Sequence, residues 1–260
     1  MSSYITFMSK ELTENLRTKR ILVLACVFLF FAITTPLLTR FMGEFFNLLI
    51  PSDDETGQLL IAALSNPSWQ ESYAQFYSQL GQIGIIAVLF MYMGTVQREI
   101  RTGTASLMFS KGLGFAPFIL AKFTIAVIIT TVVIILSALV AYVYTFLLFN
   151  EAGQLGNILA GSLIFSAGTL MMLSLVILCS SLTKSSAVSG GLSFGAYFIF
   201  ILISIIPRIG QLSPYQLFSH PVAISVGYFS NMLPVNLLLA VVVTILALFI
   251  AVNRLKKAED

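Results

Sequence analysis

Residues 96–112, which read VQREIRTGTASLMFSKG, are the polar stretch whose residue types suggest a definite chemistry. The stretch holds three cations and one carboxylate: Arg98, Arg101, Lys111 and Glu99. Between them lies a short apolar run: Ala105, Leu107, Met108 and Phe109. An apolar anchor ringed by charges is a common way to engage a groove on another protein. The pattern therefore predicts a segment that docks a partner, and the alternative is a run that packs beneath its own helices.

Local signals within the stretch predict a short helix. Thr102 or Thr104 can cap its first turn, because their hydroxyls can accept hydrogen bonds from free backbone N–H groups. Gly112 or Gly114 can end it, because glycine adopts the left-handed backbone that closes many helices. We refer to residues 97–117 as the docking segment.

The elements that position this segment follow from composition. The chain has 260 residues, of which 58% are hydrophobic and 10% charged, whereas soluble domains carry about 25% charged residues. A hydrocarbon core of about 30 Å needs roughly 20 apolar helical residues. Six runs meet this requirement and predict an all-α integral membrane protein with one transmembrane domain: 21–39, 80–96, 122–145, 158–182, 187–206 and 234–252.

The distribution of cations predicts the orientation of the spans. With six crossings, 12 of the 14 lysines and arginines lie on one side, and Arg40 and Arg208 lie on the other. The positive-inside rule then places both termini and the docking segment in the cytoplasm of a cell membrane. Lys122 is interpreted as snorkelling towards the headgroups from the start of the third span. The net charge of +3 reflects this bias and gives no support for nucleic-acid binding.

Three segments outside the spans have recognisable patterns. Residues 1–20 combine apolar and cationic positions and predict a helix lying in the membrane interface, with a disordered basic arm as the alternative. Residues 40–78 carry two capping-box patterns, at 52–55 and 68–71, which predict a short helix near 53–65 and a second that runs into span two. Residues 207–233 are apolar but broken by proline, which predicts re-entrant helices on the outer side.

A stripe of small residues marks the fifth span: Ala187, Gly191 and Gly195. Small residues at four-residue spacing let a second helix approach closely. The sequence leaves open whether that helix belongs to the same chain or to a second copy.

The sequence lacks the residues that nucleotide binding, proton coupling, intramembrane catalysis and metal binding usually require. The chain contains no G-x-x-x-x-G-K-[ST] motif, so we expect any ATP to bind another subunit. The predicted spans hold no aspartate, glutamate, arginine or histidine near their centres, which disfavours proton coupling and intramembrane catalysis. His220 is the single histidine, and we interpret it as structural. We therefore predict no catalytic residue, no metal site and no cofactor in this chain.

The run from Arg98 to Met108, followed by Lys122 at the start of the next span, resembles the permeases of the type-2 ATP-binding-cassette (ABC) exporters. Those permeases have an E-x-x-x-G-T-x-x-x-L-like segment after their second span. The resemblance extends to the amphipathic N-terminal helix, the six spans, the long first outer loop and the broken segment before the last span.

The resemblance implies a coupling helix that sits in a cleft of a separate cytosolic ATPase, which would bind ATP and Mg. It also implies a second permease subunit, identical or different. The residues expected at the ATPase contact are Arg98, Glu99, Arg101, Gly103, Thr104, Leu107, Met108 and Phe109.

The leading hypothesis is export of an amphiphilic or hydrophobic compound, such as a peptide, an antibiotic or a lipid-like molecule. Uncharged polar and aromatic side chains would line its pathway: Thr34, Thr35, Tyr92, Thr130, Thr131 and Ser137. The alternatives are a membrane-integral enzyme and a non-transporting scaffold or channel of the same fold.

Overall fold

The computed structural model describes residues 2–49 and 67–259. The helices are α1 (Ser2–Arg17), α2 (Arg20–Leu49), α3 (Trp69–Gln79), α4 (Ile85–Tyr92), α5 (Gln97–Arg101), α6 (Thr104–Ser110), α7 (Phe115–Phe149), α8 (Leu155–Leu182), α9 (Ser186–Ile205), α10 (Ile209–Leu212), α11 (His220–Ser225) and α12 (Leu233–Glu259). A π-helical turn (Leu80–Gly84) joins α3 to α4, and a 3-10 helix (Pro214–Phe218) precedes α11.

Within the described ranges, six helical segments are long and apolar enough to cross a membrane. They are Arg20–Leu48, Trp69–Arg101, Phe115–Phe149, Leu155–Leu182, Ser186–Ile205 and Leu233–Lys257. The described residues therefore hold six candidate membrane-spanning helices, the number that the sequence predicted. Several helices extend beyond the predicted apolar runs, because polar and interfacial residues continue the same backbone hydrogen bonding past the membrane core.

The helix predicted to start near residues 68–71 does run into the second span, because α3 continues into α4 through the π-helical turn. The capping box at the start of α3 forms as expected. The Ser68 Oγ atom accepts from the Glu71 N–H at 3.4 Å, and Glu71 Oε2 accepts from the Ser68 N–H at 3.3 Å. The box at 52–55 and the helix predicted near 53–65 lie outside the described residues.

Helix α8 is the central helix of the bundle, with 67% of its most apolar window buried. It contacts α4, α7, α9, α11 and α12. Glycines and serines on α8 allow this close approach, since a Cβ atom on Gly161 would lie 3.2 Å from the Pro221 carbonyl oxygen. Lipid is as apolar as the helix surfaces, so the hydrophobic effect does not drive helices together in a membrane. Small residues contribute to tight packing there because they let the helix backbones approach closely.

A second apolar cluster lies at the end of the bundle that carries both termini. Its buried members come from α1, the turn before α5, α6, α7, α8 and α12 and include Phe7, Ala105, Phe118, Ile177 and Leu255. We call this end the terminal end. The docking segment therefore rests on the same cluster that holds the N-terminal and C-terminal helices.

The segment before the last span consists of short helices, as its prolines predicted. Leu217, Phe218 and Ile224 are buried. The Phe218 ring meets the Phe165 ring of α8 edge-to-face, with centroids 5.2 Å apart. This contact covers part of the short helices with protein, which is the condition that broken backbone needs at membrane depth.

The small-residue stripe of α9 faces away from the other parts of the chain that the structure describes. Ala187 and Gly191 are exposed, and a Cβ atom on Gly191 or Gly195 would meet no atom within 4 Å. Gly191 and Gly195 therefore make no close contact with another described helix of the same chain, and a contact with a second copy stays a prediction. The close contact is made by the neighbouring Gly190, whose added Cβ atom would lie 2.7 Å from Met93 Sδ.

Replacement of Gly190 and of the adjacent Gly191 by leucine should have different effects on stability. Gly190→Leu is expected to destabilise the folded chain by about 1–3 kcal/mol, because the new side chain overpacks the contact with Met93. Gly191→Leu is expected to leave the stability of the isolated chain nearly unchanged, because its side chain enters open space. Thermal unfolding of both variants in detergent measures the difference. Equal losses of stability would contradict the inward orientation of Gly190.

Candidate partner-docking site

The docking segment consists of two short helices joined by a glycine. Gly103 has φ of 74°, and α6 begins at the next residue. Gly112 has φ of 89°, and its N–H donates to the Phe109 carbonyl at 2.9 Å where α6 ends. The predicted glycine stop at 112 is confirmed. The predicted threonine cap is wrong, because Gly103 occupies the N-cap position of α6. Thr102 Oγ1 donates to the Arg98 carbonyl at 3.0 Å, and Thr104 Oγ1 donates to the Glu99 carbonyl at 3.2 Å.

The apolar run of α6 divides between two faces. Ala105 is buried, and Met108 and Phe109 pack against the terminal-end cluster. The Phe109 ring lies 4.6 Å from the Phe115 ring and 5.2 Å from the Phe118 ring, measured between centroids. These residues hold the helix to its own spans, so Met108 and Phe109 are not outward anchors as predicted.

Leu107 is the outward apolar residue of α6, with 63% of its surface exposed. Other residues of the docking segment are exposed as well: Arg98, Arg101, Thr104 and Ser106. An exposed leucine on a helix whose opposite face is fixed by aromatic packing presents a rigid apolar knob. This arrangement fits insertion of one side chain into a pocket of another protein.

Glu99 does not belong to the exposed charges, contrary to the prediction. Its side chain is 10% exposed, and Oε1 lies 2.8 Å from Lys10 Nζ and 3.1 Å from Lys122 Nζ. Lys122 also pairs with Glu11 Oε1 at 2.9 Å. We call Lys10, Glu11, Glu14, Glu99 and Lys122 the ion cluster. It ties α1, α5 and α7 together at the terminal end.

Lys122 is 3% exposed, so the interpretation of a snorkelling lysine is also wrong. Its Nζ atom lies 5.1 Å from the Phe118 ring centroid and 5.6 Å from the Phe7 ring centroid. Two carboxylates and two aromatic faces therefore replace the water that a snorkelling lysine would reach. The sequence contained one signal of this arrangement, since Glu11 follows Phe7 by one helical turn on the face of α1 that became buried.

The carboxylates of Glu11, Glu14 and Glu99 lie close enough together to suggest a metal site. Lys10 Nζ lies 3.2, 3.1 and 2.8 Å from their oxygens, so an ammonium group already supplies the positive charge. Burial lowers the pKa of Lys10, but the hydrogen bond to Glu99 and the nearby carboxylates outweigh this effect and raise it. Burial raises the pKa of Glu14, and the hydrogen bond and charge of Lys10 outweigh it and lower that pKa. Lys10 and Glu14 therefore remain charged at neutral pH.

Of the six residues predicted to line a pathway, Tyr92 and Thr130 lie beside each other, and the pathway itself stays a prediction. Four of them donate to carbonyls of their own helices: Thr34 to Phe30, Thr35 to Phe31, Thr130 to Ala126 and Ser137 to Ile134. Tyr92 is buried, and Thr131 is half-buried on α7. Of the six, Thr35 lines a cavity of about 550 Å³ between α2 and α3, beside Thr39, Gln75 and Ser78.

His220 packs at the opposite end of the bundle from the ion cluster. Its Nε2 atom lies 2.9 Å from Nδ2 of Asn236, which is fully buried. Burial lowers the pKa of His220, so the ring is neutral at pH 7 and Nε2 accepts from the amide. This contact joins α11 to α12 and fits the structural role that the sequence suggested.

The bundle is that of a multi-pass helical membrane protein. No family model matches the chain. Over 152 residues the chain is 25% identical to the uncharacterized transmembrane protein YxlG of Bacillus subtilis (strain 168). The match covers 58% of this chain and 57% of that protein, so the chain spans less than two thirds of its relative.

Proposed function

We propose that the chain is the permease subunit of an ATP-driven exporter of the type-2 ABC kind. In this proposal α6 is the coupling helix, and a separate cytosolic ATPase binds ATP and Mg. The chain itself hydrolyses no ATP. A second permease subunit completes the pathway, and the cargo is an amphiphilic or hydrophobic compound.

The observation that carries the proposal is the combination of Leu107 and the ion cluster. Leu107 projects from a helix whose other face is locked by Phe109, and the preceding helix α5 is held by Glu99 to α1 and α7. A partner that moved Leu107 would therefore pull on the N-terminal helix and on the third span together. A surface that only bound a partner would not need this rigid connection to two other helices.

The geometry of α1 supports an interfacial position for that helix. Ile5, Leu12 and Leu16 form an exposed apolar stripe, while Phe7 and Glu11 face the bundle. A helix that presents one apolar face outward and another face to protein fits at a membrane surface beside its own spans. The cations at the terminal end support a cytoplasmic location of both termini and α6 under the positive-inside rule.

Affinity capture tests the proposal directly. The tagged chain is extracted from its native membrane in mild detergent, and the bound proteins are identified by mass spectrometry. We expect a soluble protein with a P-loop to be recovered in near-stoichiometric amount. An intramembrane enzyme or a scaffold of the same fold would be recovered without such an ATPase, and that result would refute the proposal.

A further inference from the structure

The second span is interrupted just before the docking segment, and one buried side chain bridges the interruption to other helices. Helix α4 ends at Tyr92, residues 93–96 form a turn, and α5 begins at Gln97. The Gln97 residue is 1% exposed. A buried carboxamide must satisfy both its donor and its acceptor within the protein.

The backbone at this break is hydrogen-bonded to α8. The N–H groups of Val96 and Gln97 both donate to Ser180 Oγ, at 3.1 and 3.0 Å. Val96 is the residue before α5, and its side chain makes no capping hydrogen bond. A serine of another helix thus satisfies the free N–H groups at the start of α5, which an N-cap residue usually does.

The Gln97 side chain reaches the start of the fifth span. Its Nε2 donates to the Lys184 carbonyl at 2.5 Å, in the turn between α8 and α9. Its Oε1 accepts from Ser186 Oγ at 2.8 Å, at the first residue of α9. Because the carboxamide is planar and both of its functions are used, α5 and the start of α9 have a defined relative position.

Close packing leaves little room for sliding at this junction. A Cβ atom on Gly94 would lie 2.8 Å from Ser186 Oγ, so the turn at 93–96 directly contacts the first turn of α9. The contact of Gly190 with Met93 continues the same seam one turn further along α9. The ion cluster holds the other side of α5, where Glu99 faces α1 and α7.

We propose that Gln97 is the positioning residue that carries a displacement of the docking helix α6 to α9, the fifth span. The proposal rests on the proposed function, in which an ATPase moves α6. Only 22% of the most apolar window of α9 is buried, against 67% of that of α8. Ser180 connects α5 to α8, and Gln97 connects α5 to α9. Of these two helices, α9 has fewer contacts to break when it moves.

Spin-label distances test the link in the chain alone. Labels are placed at exposed positions, one on α6 (Ser106) and one on α9 (Val188), after replacement of Cys26 and Cys179 by serine. In the unmodified background we expect a narrow distance distribution. Gln97→Leu keeps the side-chain size but removes both hydrogen bonds, and the distribution is expected to lose its narrow maximum. Ser186→Ala removes one of the two bonds and should produce an intermediate width.

A second label pair serves as the control. Ser106 and Thr13, on α6 and α1, are connected through the ion cluster and should keep their distribution in Gln97→Leu. A change in both pairs would show that Gln97→Leu causes a general loss of structure. In that case the width of the 106–188 distribution in Ser186→Ala decides whether the link exists. An unchanged 106–188 distribution in both variants would overturn the proposal.

The same labels in the complex with its ATPase test the transmission. Addition of ATP with vanadate is expected to leave the 106–188 distance unchanged and to shift the distance from 188 to a label at Arg254 in the unmodified background. Gln97→Leu should still bind the ATPase but lose the shift at position 188. An equal shift in both proteins would overturn the inference and leave the proposed function intact. If no ATPase binds the unmodified chain, the proposed function fails and the transmission fails with it.

Discussion

Leu107→Asp is expected to abolish copurification of the proposed ATPase while leaving the fold of the chain intact. Leu107 is 63% exposed on a rigid helix, so aspartate costs the monomer little. In the complex the same carboxylate would enter an apolar pocket without a partner. Loss of a central anchor weakens an interface by about 2 kcal/mol or more, which is about thirtyfold in the dissociation constant. Quantitative affinity capture or titration with the purified ATPase measures this loss.

Ser106→Asp is the matched control for this experiment. It places the same charge one residue away on the same exposed helix. We expect it to keep most of the binding, because it removes no apolar anchor. Met108→Asp is unsuitable as a companion change, since Met108 packs against the buried cluster and its replacement would disturb the fold. Equal binding by Leu107→Asp and the unmodified chain would exclude Leu107 as the docking knob.

Lys122→Met is expected to destabilise the chain by about 3–5 kcal/mol, the usual cost of removing one partner from a buried ion pair. The ammonium of Lys122 lies within 3.1 Å of both Glu11 and Glu99, and the residue is 3% exposed. Without it, two buried carboxylates share the single remaining charge of Lys10. Thermal unfolding in detergent and the yield of folded protein are the measurements.

Two further variants test whether Lys122→Met acts through the charge balance of the ion cluster or whether the loss of any lysine has the same effect. Lys111→Met removes an exposed cation of the same segment and should change stability by less than about 0.5 kcal/mol. Glu11→Gln combined with Lys122→Met removes one of the two stranded charges and should recover part of the loss. A loss in Lys122→Met no larger than that in Lys111→Met would show that the ion cluster contributes little to stability.

Short-range features of the docking segment were predictable from its residues. The polar segment between two apolar runs, the short helix within it and the glycine at its end follow from local backbone preferences. Which side of that helix is exposed did not follow. Leu107 and Met108 are adjacent and similarly apolar, and only the packing of Phe109 against Phe115 and Phe118 determines which of them faces outward.

The polar connections of the docking segment were missed because they join distant parts of the chain. Lys122 and Glu11 are 111 residues apart, and Lys10 and Glu99 are 89 apart. Each residue alone had an ordinary interpretation as a surface or snorkelling charge. Gln97 had no distinguishing pattern at all, since its partners are a backbone carbonyl and a serine hydroxyl.

By itself the sequence determined that this is a helical membrane protein with six apolar segments long enough to cross a membrane and most of its cations at one end. Those properties depend on the length and polarity of continuous segments, which the membrane thickness converts into spans. The tertiary structure alone decided that Glu99 and Lys122 face inward, that Leu107 faces outward, and that Gly190 rather than Gly191 packs closely. Burial and charge pairing depend on which helices become neighbours, and helix neighbours are chosen by contacts across the whole bundle.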